Sequence, residues 1–196
     1  MTKQLLTERY RINNQNLALR KQFVLLTEAE IAVLKRLAGW GQAQAGPMAK
    51  EFYDHQFAFS GTAGFFEAYA RQKGMAIESM RQHLEKMQAQ YFRQIFEEAT
   101  GSGEFGVDFF EKRLFVGKLH NVINLPLKWY IGSYALYQRL VRKHLRRSFW
   151  LRPGFRTKAE EAIFTVFNYD IQAVSDAFFY DYLESVGLEL AAVQIE

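Results

Sequence analysis

The sequence predicts an all-α protein of one domain, and three observations carry that reading. Apolar residues recur at steps of three and four over long stretches, and helix-start signals alternate with Gly and Pro breaks. No stretch alternates apolar and polar residues between hairpin turns, and there is no internal repeat or low-complexity region. A half-dozen or more helices are expected.

Taken in order, the start of the chain up to Tyr10 is polar and lacks the basic start and apolar run of a secretory signal, so no export is expected. Thr27-Glu28-Ala29-Glu30 has the form of a capping box, in which hydroxyl and carboxylate satisfy orphan backbone donors, and Ile31, Leu34 and Leu37 continue at helical spacing. A helix therefore starts near Glu28. Gly39, Gly41 and Gly46-Pro47 punctuate the next stretch, after which Ala49, Phe52, Tyr53 and Phe57 predict a helix to about Phe59, ended by Ser60-Gly61. From Met75 onward, Met80, His83, Leu84, Met87 and Tyr91 predict one face of a long helix reaching Phe96, broken by Thr100-Gly101-Ser102-Gly103. The next stripe holds Phe109, Arg113, Val116, His120 and Ile123 and stops before Pro126. A long helix follows over about residues 127–150, Pro153-Gly154 turns the chain, and a last helix covers about residues 158–183. Its stripe of Ile163, Phe164, Phe167, Ile171, Val174, Phe178 and Phe179 is too rich for a surface helix, so it packs on both sides or at an interface.

At 196 residues with 49% hydrophobic and 23% charged side chains, the chain can bury a sizeable core and is too apolar for intrinsic disorder. The 18 Phe, 10 Tyr and 3 Trp call for a thick core, an interface or a large flat ligand, among which composition does not choose. With no cysteine there is no disulfide, thiolate metal site or cysteine nucleophile, so a metal must be held by nitrogen or oxygen. A cytoplasmic location is expected. No apolar run approaches the roughly 18 residues of a membrane span. Much of the net charge of +4 sits in one run through Arg139, Arg142, Lys143, Arg146, Arg147 and Arg152. That run could attract anions or nucleic acid, but a solvated helix end is the preferred reading, because cations favour helix C-termini. No nucleic-acid partner is expected.

His120 shares its helical face with Phe109, Arg113, Val116 and Ile123, inside a mostly apolar wall. A lone histidine in such a place is more often a satisfied core residue than a ligand. Its neighbourhood alters the odds: Gly117 removes a side chain where a flat ligand would approach the backbone, and Leu119, Leu125 and Pro126 close the pocket's edge. His-x-x-x-His spacing, a Gly-rich phosphate loop and a Gly-x-Ser-x-Gly elbow are absent, so side-chain catalysis is not expected, and any turnover would be a cofactor's chemistry.

Glu111-Lys112-Arg113, six further residues and His120, then Leu125-Pro126-Leu127-Lys128-Trp129-Tyr130-Ile131-Gly132, resembles the proximal segment of globin-coupled sensors and protoglobin-like sensor globins. Glu51-Phe52-Tyr53 resembles that family's distal tyrosine segment. The resemblance implies a three-over-three globin fold with an extra N-terminal helix in residues 1–26, a haem domain over residues 27–185, and a tail or linker-helix start in residues 186–196. It implies haem b, with His120 on the iron and Tyr53 donating a hydrogen bond to a diatomic gas (O2, CO or NO) on the opposite side. A neutral imidazole suits iron, and its second nitrogen can be held by a carbonyl one turn back, such as that of Val116.

His83 lies on the distal helix in this alignment and admits three readings: a donor to the gas, an iron ligand, or a histidine pointing away. Ligand or gas contact is placed first because Met80, Leu84 and Met87 flank it. Trp129 and Tyr130 are expected to wall the pocket or pack the core, with Val116, Gly117, Ile123, Met80 and Met87 as further lining. Asn124 stands where relatives often have Gly. The resemblance implies a gas or redox sensor that forms a homodimer through its last two long helices and signals to an output domain or partner. A haem carrier or enzyme without signalling, and a haem-free globin-like regulatory module, are the alternatives.

Overall fold

The computed structural model describes residues 4–187, which are helical throughout apart from short connections. Two short leading helices, α1 (Leu6–Arg9) and α2 (Asn14–Val24), precede α3 (Glu28–Arg36), α4 (Ala38–Ala58) and α5 (Ser60–Lys73). Then come α6 (Ile77–Thr100), α7 (Val107–Val122), α8 (Leu127–Ser148) and α9 (Pro153–Ser185). The expected tail of residues 186–196 lies outside the described residues from 188 onward. No helix among those described is long and apolar enough to cross a membrane.

Local signals account for several boundaries. The Thr27 amide donates to the Glu30 carboxylate at 2.9 Å and the Thr27 hydroxyl accepts from the Ala29 amide at 3.2 Å, which starts α3. Asn124 takes a left-handed conformation, φ 58°, just past α7, the role a glycine plays at this place in other helices. The Leu125 amide then returns to the His120 carbonyl at 3.0 Å. Pro126 caps α8, and Pro153 opens α9 in the first turn, where its missing N–H is no loss.

The breaks expected at Gly39, Gly41 and Gly46-Pro47 do not occur, because α4 runs through all of them. A Cβ at Gly41 would come within 2.2 Å of a ring carbon of Phe96, so this glycine serves the close crossing of α4 over α6 rather than a turn. Tertiary packing of Met48, Ala49 and Phe52 overrides the weak local propensity. Nor does the chain stay irregular after Ser60, where α5 follows α4 almost directly and ends at Gly74, φ 63°.

α4 packs chiefly on α6, and α9 is the common support of α7, α3 and α8. The centre is aromatic: Phe92 lies edge-on to Phe96 at 5.2 Å, and Tyr137 lies 5.5 Å from both Phe52 and Phe92. Phe167 is buried in this core, whereas Phe179 is exposed, so the aromatic richness of α9 divides between core and surface.

Candidate cofactor site around His120

His120 sits in the last turn of α7. Its Nδ1 lies 2.7 Å from the carbonyl oxygen of Val116, one turn back, and Nε2 has no hydrogen-bond partner among the described residues. Burial pushes the imidazole below its ordinary value, only partly offset by the Val116 bond, so the neutral form is favoured. The neutral ring donates from Nδ1 and carries its lone pair on Nε2, the arrangement a metal ligand needs. Tyr130, from the first turn of α8, crosses the imidazole edge-on with centroids 4.8 Å apart.

Tyr53, from α4, is buried among Phe52, Phe57 and Phe66, with ring centroids 5.1, 6.2 and 6.1 Å away. Burial raises its phenol well above the ordinary value, and the fields of Tyr137, Glu85 and Tyr130 add to the shift. It remains a neutral O–H donor. His120, Tyr91, Tyr130 and Tyr134 are half-buried by surface, yet burial is the largest influence on the ionisation of each. Tyr130 is pushed up to about 12, with its hydroxyl 3.3 Å from that of Tyr134.

Behind this region lies a buried ionic cluster that the sequence did not announce. Arg113, fully buried one turn before Gly117, donates from Nε to Asp170 of α9 at 3.0 Å, from Nη1 to Gln94 at 2.6 Å and from Nη2 to the Tyr91 carbonyl at 3.1 Å. Its guanidinium lies 3.9 Å from the Tyr91 ring centroid and 4.3 Å from that of Phe109. Asp170 is pushed up to about 6 by burial, which outweighs the pull of Arg113. Asp170 Oδ2 and the hydroxyls of Tyr91 and Tyr137 have no partner at hydrogen-bond distance among the described residues. A signal did exist: an arginine on the His120 stripe and an aspartate in the apolar stripe of α9 each require a buried partner. Glu111 of the same motif accepts from the amides of Leu6 and Thr7, both at 2.8 Å, and so ties α1 to α7.

Several expected site residues stand elsewhere. Gly117 does not make room for a flat ligand: its Cβ would meet the Val174 Cα and Ala177 Cβ of α9, both at 2.9 Å, so it permits the α7–α9 crossing. Trp129 packs edge-on to Phe59 at 5.3 Å over Gly61 and belongs to the α4–α5 corner rather than to the His120 side. On α6, Met80 is buried and Leu84 packs against the core, but His83 and Met87 are exposed. The inward row runs through residues 80, 84, 92, 95 and 96, and His83 and Met87 flank it. No hydrogen bond or ring contact among the described residues joins His83 to Tyr53 or His120, and its exposed side chain fits the reading in which it points away. Val116 holds the imidazole, and Ile123 is half-buried just beyond α7. His144, beside Lys143 in the basic run, is buried, with Nδ1 2.7 Å from Gln44 and Nε2 3.0 Å from Glu51.

Among the described residues no group of three or more His, Cys, Asp or Glu could hold a metal ion. A single oriented imidazole suits a metal that brings its other ligands with it, as a porphyrin does. The neutral imidazole, held through Nδ1 with Nε2 open, fits the same group.

A family model described as Protoglobin matches residues 13–184. The chain is similar to the heme-based aerotactic transducer HemAT of Halobacterium salinarum, at 25% identity over 134 residues, which are 67% of this chain and 24% of that protein. It thus spans about a quarter of the length of that relative.

Proposed function

This chain belongs to the protoglobin family, and on that footing we propose that it binds haem b and a diatomic gas as a sensor globin rather than as an enzyme. The observation that carries the reading is the His120 imidazole, neutral, fixed by Val116 through Nδ1 and open at Nε2. Nε2 would hold the iron, with Tyr130 restraining the ring from one side. When bound, haem would supply an iron centre able to take O2, CO or NO. Tyr53 supplies a phenol donor from α4 in apolar surroundings, where an unshared O–H is held in its neutral form. Apolar neighbours such as Phe57 and Phe66 exclude water from that donor.

Sensing requires two arrangements with different affinity for the gas. α7 touches α9 at Gly117 with no side chain between the two backbones, so displacement of His120 is passed to α9. The proposed homodimer forms through α8 and α9, which keep Ile131 and Phe179 exposed, and residues 1–26, 27–185 and 186–196 act as leading extension, haem domain and tail or linker start. A cytoplasmic location and a separate output partner complete the reading, which the aerotactic role named for the relative supports.

The test is haem titration of the purified chain, followed by reduction and carbon monoxide. One haem per chain with a reversible CO spectrum is expected, and Tyr53→Phe should speed O2 dissociation by about tenfold or more, since a hydrogen bond to a polar ligand is worth about 1.5–3 kcal/mol. Absence of stoichiometric haem uptake would contradict the reading and favour a haem-free regulatory module.

A further inference from the structure

No acidic residue occurs between Glu111 and Glu160, nor in residues 31–50. The ends of these two segments meet at one end of the molecule. Trp40 at the start of α4 donates to the Ser148 hydroxyl at the end of α8 at 3.1 Å, and the Arg36 guanidinium lies 4.6 Å from the Phe155 ring centroid at the start of α9. Phe149 and Phe155 pack edge-on at 5.1 Å beneath the turn between α8 and α9. At the tip of that turn Trp150 is 69% and Leu151 71% exposed. Exposed Arg146 and Arg147 precede them and exposed Arg152 follows.

Charge is neutralised inward and left open outward. Arg142 meets Glu160 at 3.4 Å and Lys143 meets Glu51 at 2.5 Å, whereas Arg146, Arg147, Arg152, Arg156 and Lys158 form no ion pair among the described residues. The dipole of α8 accounts for cations at its C-terminus. It does not account for Arg156 and Lys158 in the opening turns of α9, where cations are disfavoured and the first turn holds no acid to balance them. Nor does it account for a Trp and a Leu held side by side in water. Uncompensated positive charge calls for an anionic partner, and the apolar tip calls for a medium it can enter.

We propose that the α8–α9 corner docks this globin on an anionic phospholipid bilayer, with Trp150 and Leu151 entering the headgroup region and Arg146, Arg147 and Arg152 pairing with lipid phosphates. Indole favours the headgroup level, a leucine beside it adds apolar burial, and basic side chains are drawn to anionic leaflets. A nucleic acid would use the arginines and could stack on the indole, but it would gain nothing from Leu151. The contact is peripheral and goes beyond the haem reading, on which it does not depend.

The test is co-sedimentation of the full chain with vesicles of phosphatidylcholine mixed with phosphatidylglycerol, against phosphatidylcholine alone, followed by tryptophan emission. Binding to the mixed vesicles only is expected, weakening with salt and losing about fivefold in affinity for each of Arg146→Gln, Arg147→Gln and Arg152→Gln. Trp150→Ser with Leu151→Ser should lower affinity by about tenfold or more. Vesicles should shift the emission to the blue, and Trp150→Phe should abolish the shift although Trp40 and Trp129 remain. All five side chains are exposed, so the variants fold, as circular dichroism will verify. No binding to the mixed vesicles, binding unchanged by the tip substitutions, or tighter retention on a duplex DNA oligonucleotide at the same salt each overturns the proposal.

Discussion

The Nδ1 of His120 lies 2.7 Å from the carbonyl oxygen of Val116, and burial holds the same ring neutral. Because the folded value lies below the unfolded value of 6.5, the unfolded chain takes up the proton first, and the contribution of His120 to stability is lost as pH falls from about 6.5. Asp170 acts in the opposite sense: its folded value, about 6, exceeds the ordinary 3.8, so its contribution is lost as pH rises between them. Chemical denaturation of the haem-free chain between pH 4 and 7 should therefore rise more steeply with pH in Asp170→Asn than in wild type, and less steeply in His120→Gln. Parallel curves for all three would contradict both assignments.

Arg113 and Asp170 are both fully buried, and breaking a buried pair leaves one group without its counterpart. Asp170→Ala should lower the unfolding free energy by about 3–5 kcal/mol. Arg113→Met combined with Asp170→Leu should lose much less than the sum of the single losses, since no charge then remains buried. Urea unfolding of the four proteins measures this, and additive losses would mean that the two side chains do not act as a pair.

Gly117→Ala would set a methyl 2.9 Å from the Val174 Cα, a backbone atom that cannot swing aside. A loss of about 1–3 kcal/mol is expected, together with a displaced His120 and an altered haem spectrum. Unchanged stability would show that α7 and α9 are less closely apposed than described.

Where a local feature decided the structure, the sequence was readable. The Thr27 box, Pro126 and Pro153 mark helix ends through groups within one turn, and the Val116–His120 bond follows from helical spacing alone. α4 was not readable, because Gly41 is explained only by the ring of Phe96, which arrives from another helix. Gly117 misled for the same reason: its bare face meets α9, a partner with no mark in the local sequence. The orientation of His83 was not readable, because steps of three and four leave open which edge of a helical face turns inward. Arg113 and Asp170 stood in apolar stripes as charges needing partners, but at a sequence separation of 57 only the fold reveals that they meet.

The central claim is that His120 would carry the iron, and the most direct measurement is the absorption spectrum of His120→Gly with haem, before and after adding free imidazole. The account predicts a weakened, shifted haem spectrum in the variant and recovery of the wild-type spectrum when imidazole occupies the space left by the side chain. A wild-type spectrum in His120→Gly without imidazole would contradict it.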